Sequence, residues 1–316
     1  VNPLAGRDLL SLADLTPAEV ALVLDTAAEQ KAAWAAGDHD SPLAGLSAAL
    51  IFQKPSLRTR VSFEVACARL GVHPVPLAGD ESAFSRGESV YDTAKVLERY
   101  VDAIVIRTFE QALIEELAEH ASVPVVNALT DDYHPCQGLA DLLTIREQLG
   151  ELEGARITYV GDGNNMAHTY ALAAALTGMH LTLACPEGFA PSSRVIAAAE
   201  GIAAETGATV ALAPGRPEAV GEAVADAQVV LTDTWASMGQ EEERAVRLAA
   251  FEGYTIDAQV MEAAAPGAVF MHCLPAHRGE EVTDDVMDAT CSLVFDEAEN
   301  RLHAQKALLS LIMGGA

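Results

Sequence analysis

Nine apolar, largely β-branched runs of five or six residues recur along the chain with helix-length stretches between most of them. This alternation constrains the fold more than any other feature. The runs are Ala48 to Phe52, Val72 to Leu77, Ala103 to Thr108 and Val123 to Ala128, then Arg156 to Val160, Leu181 to Cys185, Thr209 to Ala213, Gln228 to Thr232 and Ala268 to Cys273. Strands that return in parallel need a crossover of about a dozen residues, usually a helix, so the pattern predicts an α/β chain. It restarts after Ala155, which divides it into two doubly wound domains with mostly parallel sheets joined by interdomain helices. The expected boundaries are residues 1–148, with 297–316 returning to pack on them, and residues 149–296. At 316 residues the chain is long enough for two cores.

Local signals set the helices. Thr16-Pro17-Ala18-Glu19 offers a capping hydroxyl, a proline at the first helical position and a glutamate that reaches back, so a helix is expected from there to about Ala36. After Lys54-Pro55-Ser56 a helical pattern begins, with Val61, Val65 and Ala68 among the residues expected to face inward. Further helices are expected from Pro135 to Gln148, bridging the halves, and from about Glu297 to Ile312. Ala213-Pro214-Gly215-Arg216-Pro217 reads as a loop.

Charge narrows the partners. With 46 acidic and 19 basic residues the net charge is −27, which repels a phosphate backbone or an anionic bilayer, so neither nucleic acid nor membrane is an expected partner. The excess of carboxylates reads as a solvated surface. The five cysteines form no C-x-x-C pair and are expected as free thiols in a cytoplasmic protein. No long apolar run and no leader pattern is visible.

Ligands of open α/β sheets sit beyond the carboxyl ends of the strands, so the residues just after each run are the ones to read. Ser56 can cap a helix whose first N–H groups face an incoming anion, and Arg58 and Thr59 add a guanidinium and a hydroxyl. Lys54, Arg58, Arg60, Arg69, Arg86, Lys95, Arg99 and Arg107 are 8 of the 19 basic residues, gathered in one stretch of an acidic chain. Together they imply a phosphate site in the first domain. Arg60, two residues from Arg58, falls on another helix face and reads instead as a partner for a structural carboxylate. Gly161-Asp162-Gly163-Asn164-Asn165 lacks the third glycine of a dinucleotide loop. His134, before Pro135, reads as a polar ligand residue. Cys273 at a strand end reads as a thiol of undecided role, and His272 and His277 lack metal-ligand spacing and read as structural.

Several segments together carry a resemblance. They are Phe52 to Arg60, Asp92-Thr93-Ala94-Lys95, His134-Pro135-Cys136-Gln137 with Leu139-Ala140-Asp141, Asp233 with Ser237-Met238-Gly239, His272-Cys273-Leu274-Pro275 with Arg278-Gly279-Glu280-Glu281, and Glu299-Asn300-Arg301. In these the chain resembles the ornithine carbamoyltransferases of the aspartate/ornithine carbamoyltransferase family over essentially its full length. The resemblance implies transfer of a carbamoyl group from carbamoyl phosphate to the side-chain amine of L-ornithine, giving L-citrulline and phosphate, as in arginine biosynthesis. It implies no metal or organic cofactor, and a homotrimer. Ser56, Leu57, Arg58 and Thr59 would hold the phosphate, and Arg107, His134 and Gln137 the carbamoyl end. Asn165, Asp233, Ser237 and Met238 would hold ornithine, with Cys273 and Leu274 near the reacting amine and Arg301 nearby. The catalytic set it implies is Arg107, His134, Asp233 and Cys273, and Ser237-Met238-Gly239 would form a lid.

Two positions depart from the family pattern. Leu57 replaces the usual threonine, keeping the backbone N–H, and Ala83 stands where a glutamine or histidine usually reaches a neighbouring subunit's site. Ser82, Ser85 or Arg86 is expected to substitute for it. The alternatives are a sister transcarbamylase for aspartate, putrescine or N-acetylornithine, or a non-catalytic subunit. Asp233 favours a free α-amino acid, because a carboxylate pairs an α-ammonium.

Overall fold

The computed structural model describes residues 2–78, 87–236 and 243–315. The chain forms two compact units, Val1–Leu143 with Glu299–Ala316, and Thr144–Ala298.

In the first unit α1 (Pro17–Ala35) begins as its sequence dictates. Thr16 Oγ1 accepts from the Glu19 N–H at 3.3 Å while Glu19 Oε2 accepts from the Thr16 N–H at 2.8 Å. Next come β1 (Ser47–Phe52), α2 (Leu57–Leu70), β2 (His73–Ala78), α3 (Val90–Leu97), β3 (Ala103–Arg107), α4 (Gln111–His120), β4 (Val125–Leu129) and α5 (Pro135–Leu149). The sheet is parallel throughout in the order β2-β1-β3-β4. All five residues of β3 are buried, which is why the strand reads as a continuous apolar run rather than an alternating one. Ile51, Ile104, Ile106, Ile114, Leu117 and Val125 form the core on one face.

One expectation needs correction. In α2 the packed stripe is Phe63, Ala66, Cys67 and Leu70, whereas Val61 and Ala68 are exposed and Val65 is half-buried. Thr59, Phe63, Ala66, Cys67 and Leu70 recur on one face of a 3.6-residue repeat, and Val61 and Ala68 lie off that face. Strand and helix ends differ by a few residues: Thr108, Cys185, Ala213 and Cys273 lie just past their strands, β4 starts at Val125, and the last helix starts at Val294.

The second unit continues with β5 (Arg156–Val160), α6 (Asn165–Thr177), β6 (His180–Ala184), α7 (Ser193–Thr206), β7 (Thr209–Leu212), α8 (Val220–Val224), β8 (Val229–Thr232), α9 (Arg244–Ala250), α10 (Ala258–Ala263), β9 (Val269–His272), α11 (Asp284–Met287) and the first turn of α12 (Val294–Met313), which from Glu299 onward belongs to the first unit. Its parallel sheet has the order β7-β6-β5-β8-β9. Every residue of α6 from Met166 to Leu176 is buried, so the helix shows no polar face, and alanines at 171 and 173 to 175 let neighbours approach closely. Trp235, Phe251, Tyr254 and Phe270 anchor the aromatic part of this unit's core. Burial of each such ring contributes roughly 2 to 3 kcal/mol. No helix of the described residues is long and apolar enough to cross a membrane.

In both sheets the chain reverses its direction of build at one place, between β1 and β3 and between β5 and β8. Ligands bind doubly wound sheets in the crevice outside such switch points.

Candidate active site

The register of β1 on β3 pairs Phe52 with Arg107, so the segment leaving β1 runs beside the end of β3, and the Gln53 N–H donates to the Arg107 carbonyl at 2.9 Å. Ser56 caps α2, its Oγ accepting from the Thr59 N–H at 3.3 Å. Arg107 Nη1 donates to that same Oγ at 3.0 Å. The positive end of α2 and a guanidinium therefore meet at one point, which suits an anion. Leu57, at the first helical position, is 77% exposed, so its contribution there is its backbone N–H.

Arg301 closes the constellation from the α12 side. Its Nη1 donates to Gln137 Oε1 at 2.7 Å and its Nη2 to the buried Thr59 Oγ1 at 3.2 Å, while Gln137 Nε2 donates to Asp141 Oδ1 at 2.7 Å. Gln305, with its amide oriented to satisfy both atoms, accepts from Arg301 Nη2 at 2.9 Å and Nε at 3.1 Å. A guanidinium held on several acceptors is positioned rather than mobile. Beside it lies His134, immediately before α5 and buried. Burial, then the charges of Arg301, Arg107 and Arg58, hold its pKa well below the usual histidine range. A neutral imidazole among three guanidiniums is the result, able to hydrogen-bond a carbonyl oxygen without adding charge. Lys54, buried, pairs with Asp131 at 2.6 Å over the Phe109 ring and pins the same loop. Arg60 pairs with Glu64 at 2.7 Å on the exposed face, as its position suggested.

In the second unit the residues after β5, β8 and β9 converge. Asp233 Oδ1 accepts from Cys273 Sγ at 3.2 Å and from the Thr234 N–H at 2.8 Å, and its Oδ2 accepts from Asn164 Nδ2 at 2.8 Å. Asn164 also caps α6, Oδ1 accepting from the N–H groups of Met166 and Ala167 at 2.9 and 3.3 Å. Asn165 opens α6 beside it. Asn164 is a residue that the sequence reading passed over, although an asparagine directly before a helix is a start signal. Gly163 fits there because a Cβ would lie 2.2 Å from the Pro191 nitrogen. Arg247 was also missed. From α9 it donates to Asp162 Oδ2 at 2.7 Å and to the Trp235 carbonyl at 3.0 Å, and burial still pushes the Asp162 carboxyl up to about 6.

Ser237, Met238 and Gly239, and the Ala83 loop with Ser82, Ser85 and Arg86, lie outside the described residues. Among the described residues, two groups of donors could face a metal ion: Asp233, His272 and Cys273, and His277, Glu280 and Glu281. In the first, both ring nitrogens of His272 are engaged, with Leu274 N–H at 2.9 Å and Glu281 Oε1 at 3.2 Å. That leaves two donors, fewer than the three or four of a protein zinc site.

Comparison with known proteins identifies the family of both halves of the chain. Residues 7–147 match the family described as aspartate/ornithine carbamoyltransferase, carbamoyl-P binding domain, and residues 153–312 match its Asp/Orn binding domain. An ornithine carbamoyltransferase of Anoxybacillus flavithermus is 51% identical over 97% of this chain and 96% of its own. One from Pyrococcus furiosus, named as anabolic, is 50% identical over 100% of this chain and 99% of its own. The solved P. furiosus structure superposes with a TM-score of 0.96 at 50% identity, covering 100% of both chains. The chain belongs to the aspartate/ornithine carbamoyltransferase family.

Proposed function

We propose that this protein transfers the carbamoyl group of carbamoyl phosphate to the side-chain amine of L-ornithine, releasing L-citrulline and phosphate. The observation that carries the reading is the neutral His134 set among Arg58, Arg107 and Arg301 beside the start of α2. Such a site suits a dianionic phosphate joined to a polarised carbonyl. Ser56, Leu57, Arg58 and Thr59 would take the phosphate, and Arg107, His134, Gln137 and Arg301 the carbamoyl end.

The amine must lose a proton before attack, since an ordinary ammonium has a pKa near about 10. Its nitrogen lone pair then forms the new C–N bond, the carbonyl oxygen gains negative charge, and the C–O bond to phosphate breaks as the intermediate collapses. Arg107, Thr59 and His134 would stabilise that oxygen, an effect worth about 3 to 4 kcal/mol per donor in comparable sites. Asp233 would pair the α-ammonium of ornithine, with Asn165, Ser237 and Met238 completing its backbone contacts and Cys273 and Leu274 near the reacting amine. The chemistry asks for no cofactor.

Relatives named for ornithine across the whole chain favour this amine over aspartate, putrescine or N-acetylornithine. The anabolic name of one relative supports a place in arginine biosynthesis. Five free cysteines support a reducing, cytoplasmic setting. Six of the nine exposed large hydrophobics among the described residues, Leu57, Val61, Tyr91, Val96, Tyr100 and Phe109, lie on the first unit and support self-association there, the homotrimer being what the resemblance implies. The test is ureido formation from carbamoyl phosphate with the four amines in parallel. Turnover with ornithine alone is expected. Turnover with a different amine would replace the substrate, and none at all would replace the activity.

A further inference from the structure

Residue Leu274 carries a backbone that an L side chain rarely adopts, with φ at +58°. A branched residue in that region persists only where its surroundings over-determine it. The over-determining group is His272. Its Nδ1 accepts from the Leu274 N–H at 2.9 Å, so the ring proton must sit on Nε2, which faces Glu281 Oε1 at 3.2 Å. The same Oε1 accepts from the His277 N–H at 2.5 Å. Glu281 is itself fixed, because its carbonyl accepts from the Ile256 N–H at 2.9 Å. The backbone N–H of His272 donates to Glu297 Oε2 at 2.8 Å. His272, Glu281 and Glu297 are all fully buried.

We propose that Glu281 is a positioning residue for the transfer reaction: it holds the Nε2–H tautomer of His272, whose Nδ1 locks Leu274 and thereby sets the Cys273 thiol on Asp233. The inference rests on the function proposed above and deepens it. A buried carboxylate is costly unless donors reach it, and here Oε1 takes the ring and the backbone of the segment that shapes the site, while Oε2 makes no hydrogen bond and lies 3.7 Å from His277 Nδ1. With the carboxylate gone, the tautomer with hydrogen on Nδ1 becomes accessible and points a donor at the Leu274 N–H. The turn then loses its acceptor. A glutamine in place of Glu281 keeps an oxygen at the shared point, because the His277 N–H also demands an acceptor there.

The experiment compares wild type, Glu281→Ala and Glu281→Gln by citrulline kinetics and by the iodoacetamide labelling rate of Cys273, read by peptide mass spectrometry against Cys291. Glu281→Ala should lower kcat by about tenfold or more. Its KM for carbamoyl phosphate should stay within about twofold. Labelling of Cys273 should rise at least about threefold as the turn loosens. Glu281→Gln should return both readouts to near wild type. Wild-type kcat and labelling in Glu281→Ala, or a glutamine variant as impaired as the alanine one, would overturn the proposal. A wild type that makes no citrulline contradicts the proposed function instead, and the labelling comparison still judges Glu281. If Glu281→Ala does not fold, His272→Asn and His272→Gln replace it. Asparagine places its oxygen where Nδ1 lies and should keep more activity than glutamine, whereas equal or reversed losses would refute the tautomer lock.

Discussion

The two polar clusters are built on opposite electrostatic plans. In the first unit, guanidiniums from β3, α2 and α12 crowd a buried histidine until it stays neutral, and the start of α2 adds the positive end of its dipole. In the second unit the central charge is a carboxylate, Asp233, held by an amide, a thiol and a backbone N–H, with two further buried glutamates behind β9. A cationic cradle for an anion and an anionic anchor for a cation are thus made by two sheets of the same plan. The difference lies in the side chains set at and just beyond the carboxyl ends of the strands, with Arg301 added from α12, not in the sheet plan, which is why one architecture serves both.

That contrast makes the largest expected effect a loss of charge in the first cluster. Arg107→Ala removes both the donor on Ser56 and a positive charge beside the carbamoyl end, and should cut kcat by about 10² to 10³, read in the citrulline assay. Asp233→Asn should act on the other substrate, raising the ornithine KM by about 10² while the carbamoyl phosphate KM stays near wild type. A smaller effect is expected for Asn164→Ala. It removes a helix cap and the amide on Asp233 together, so about 1 kcal/mol of stability should go with a rise of roughly tenfold in ornithine KM. Urea titration and kinetics on one preparation separate the two parts.

The smallest effect is a stability difference with pH, and His134 and Asp162 run in opposite directions. His134 has a depressed pKa, so below about 6.5 the unfolded chain takes up a proton that the folded chain refuses, and stability falls as pH drops. Asp162 is pushed up to about 6, so between that value and the ordinary carboxylate range the folded chain binds the extra proton, and this contribution is lost as pH rises through 6. Neither slope exceeds about 1.4 kcal/mol per pH unit. Urea unfolding from pH 5 to 8 should lose less stability on acidification in His134→Asn and more in Asp162→Asn than in wild type.

The alternation of strands and helices was legible because each buried parallel strand is a continuous apolar run, and Thr16 to Glu19 carried its cap in four adjacent residues. The polar cluster proposed to take the phosphate was visible for the same reason: Ser56, Arg58 and Thr59 are local to one helix start. The inward face of α2 was not, since Val61 and Val65 are apolar wherever they point, and only packing shows that Phe63 and Leu70 define the stripe. The cluster around Asp233 was visible only in part. Asp233 and Cys273 are 40 residues apart, Asn164 and Asp233 are 69 apart, and Arg247 and Asp162 are 85 apart, so only sheet order joins them. Glu281 gave no local sign of its role, because a glutamate in a polar turn looks solvated until the burial of His272 is seen.

The division of labour between the clusters is tested most directly by calorimetric binding of carbamoyl phosphate to wild type, Arg107→Ala and Asp233→Asn. The account predicts that Asp233→Asn binds as wild type does and that Arg107→Ala loses most of its affinity. Equal weakening in both variants, or loss in Asp233→Asn alone, would contradict the assignment of the phosphate end to the first unit.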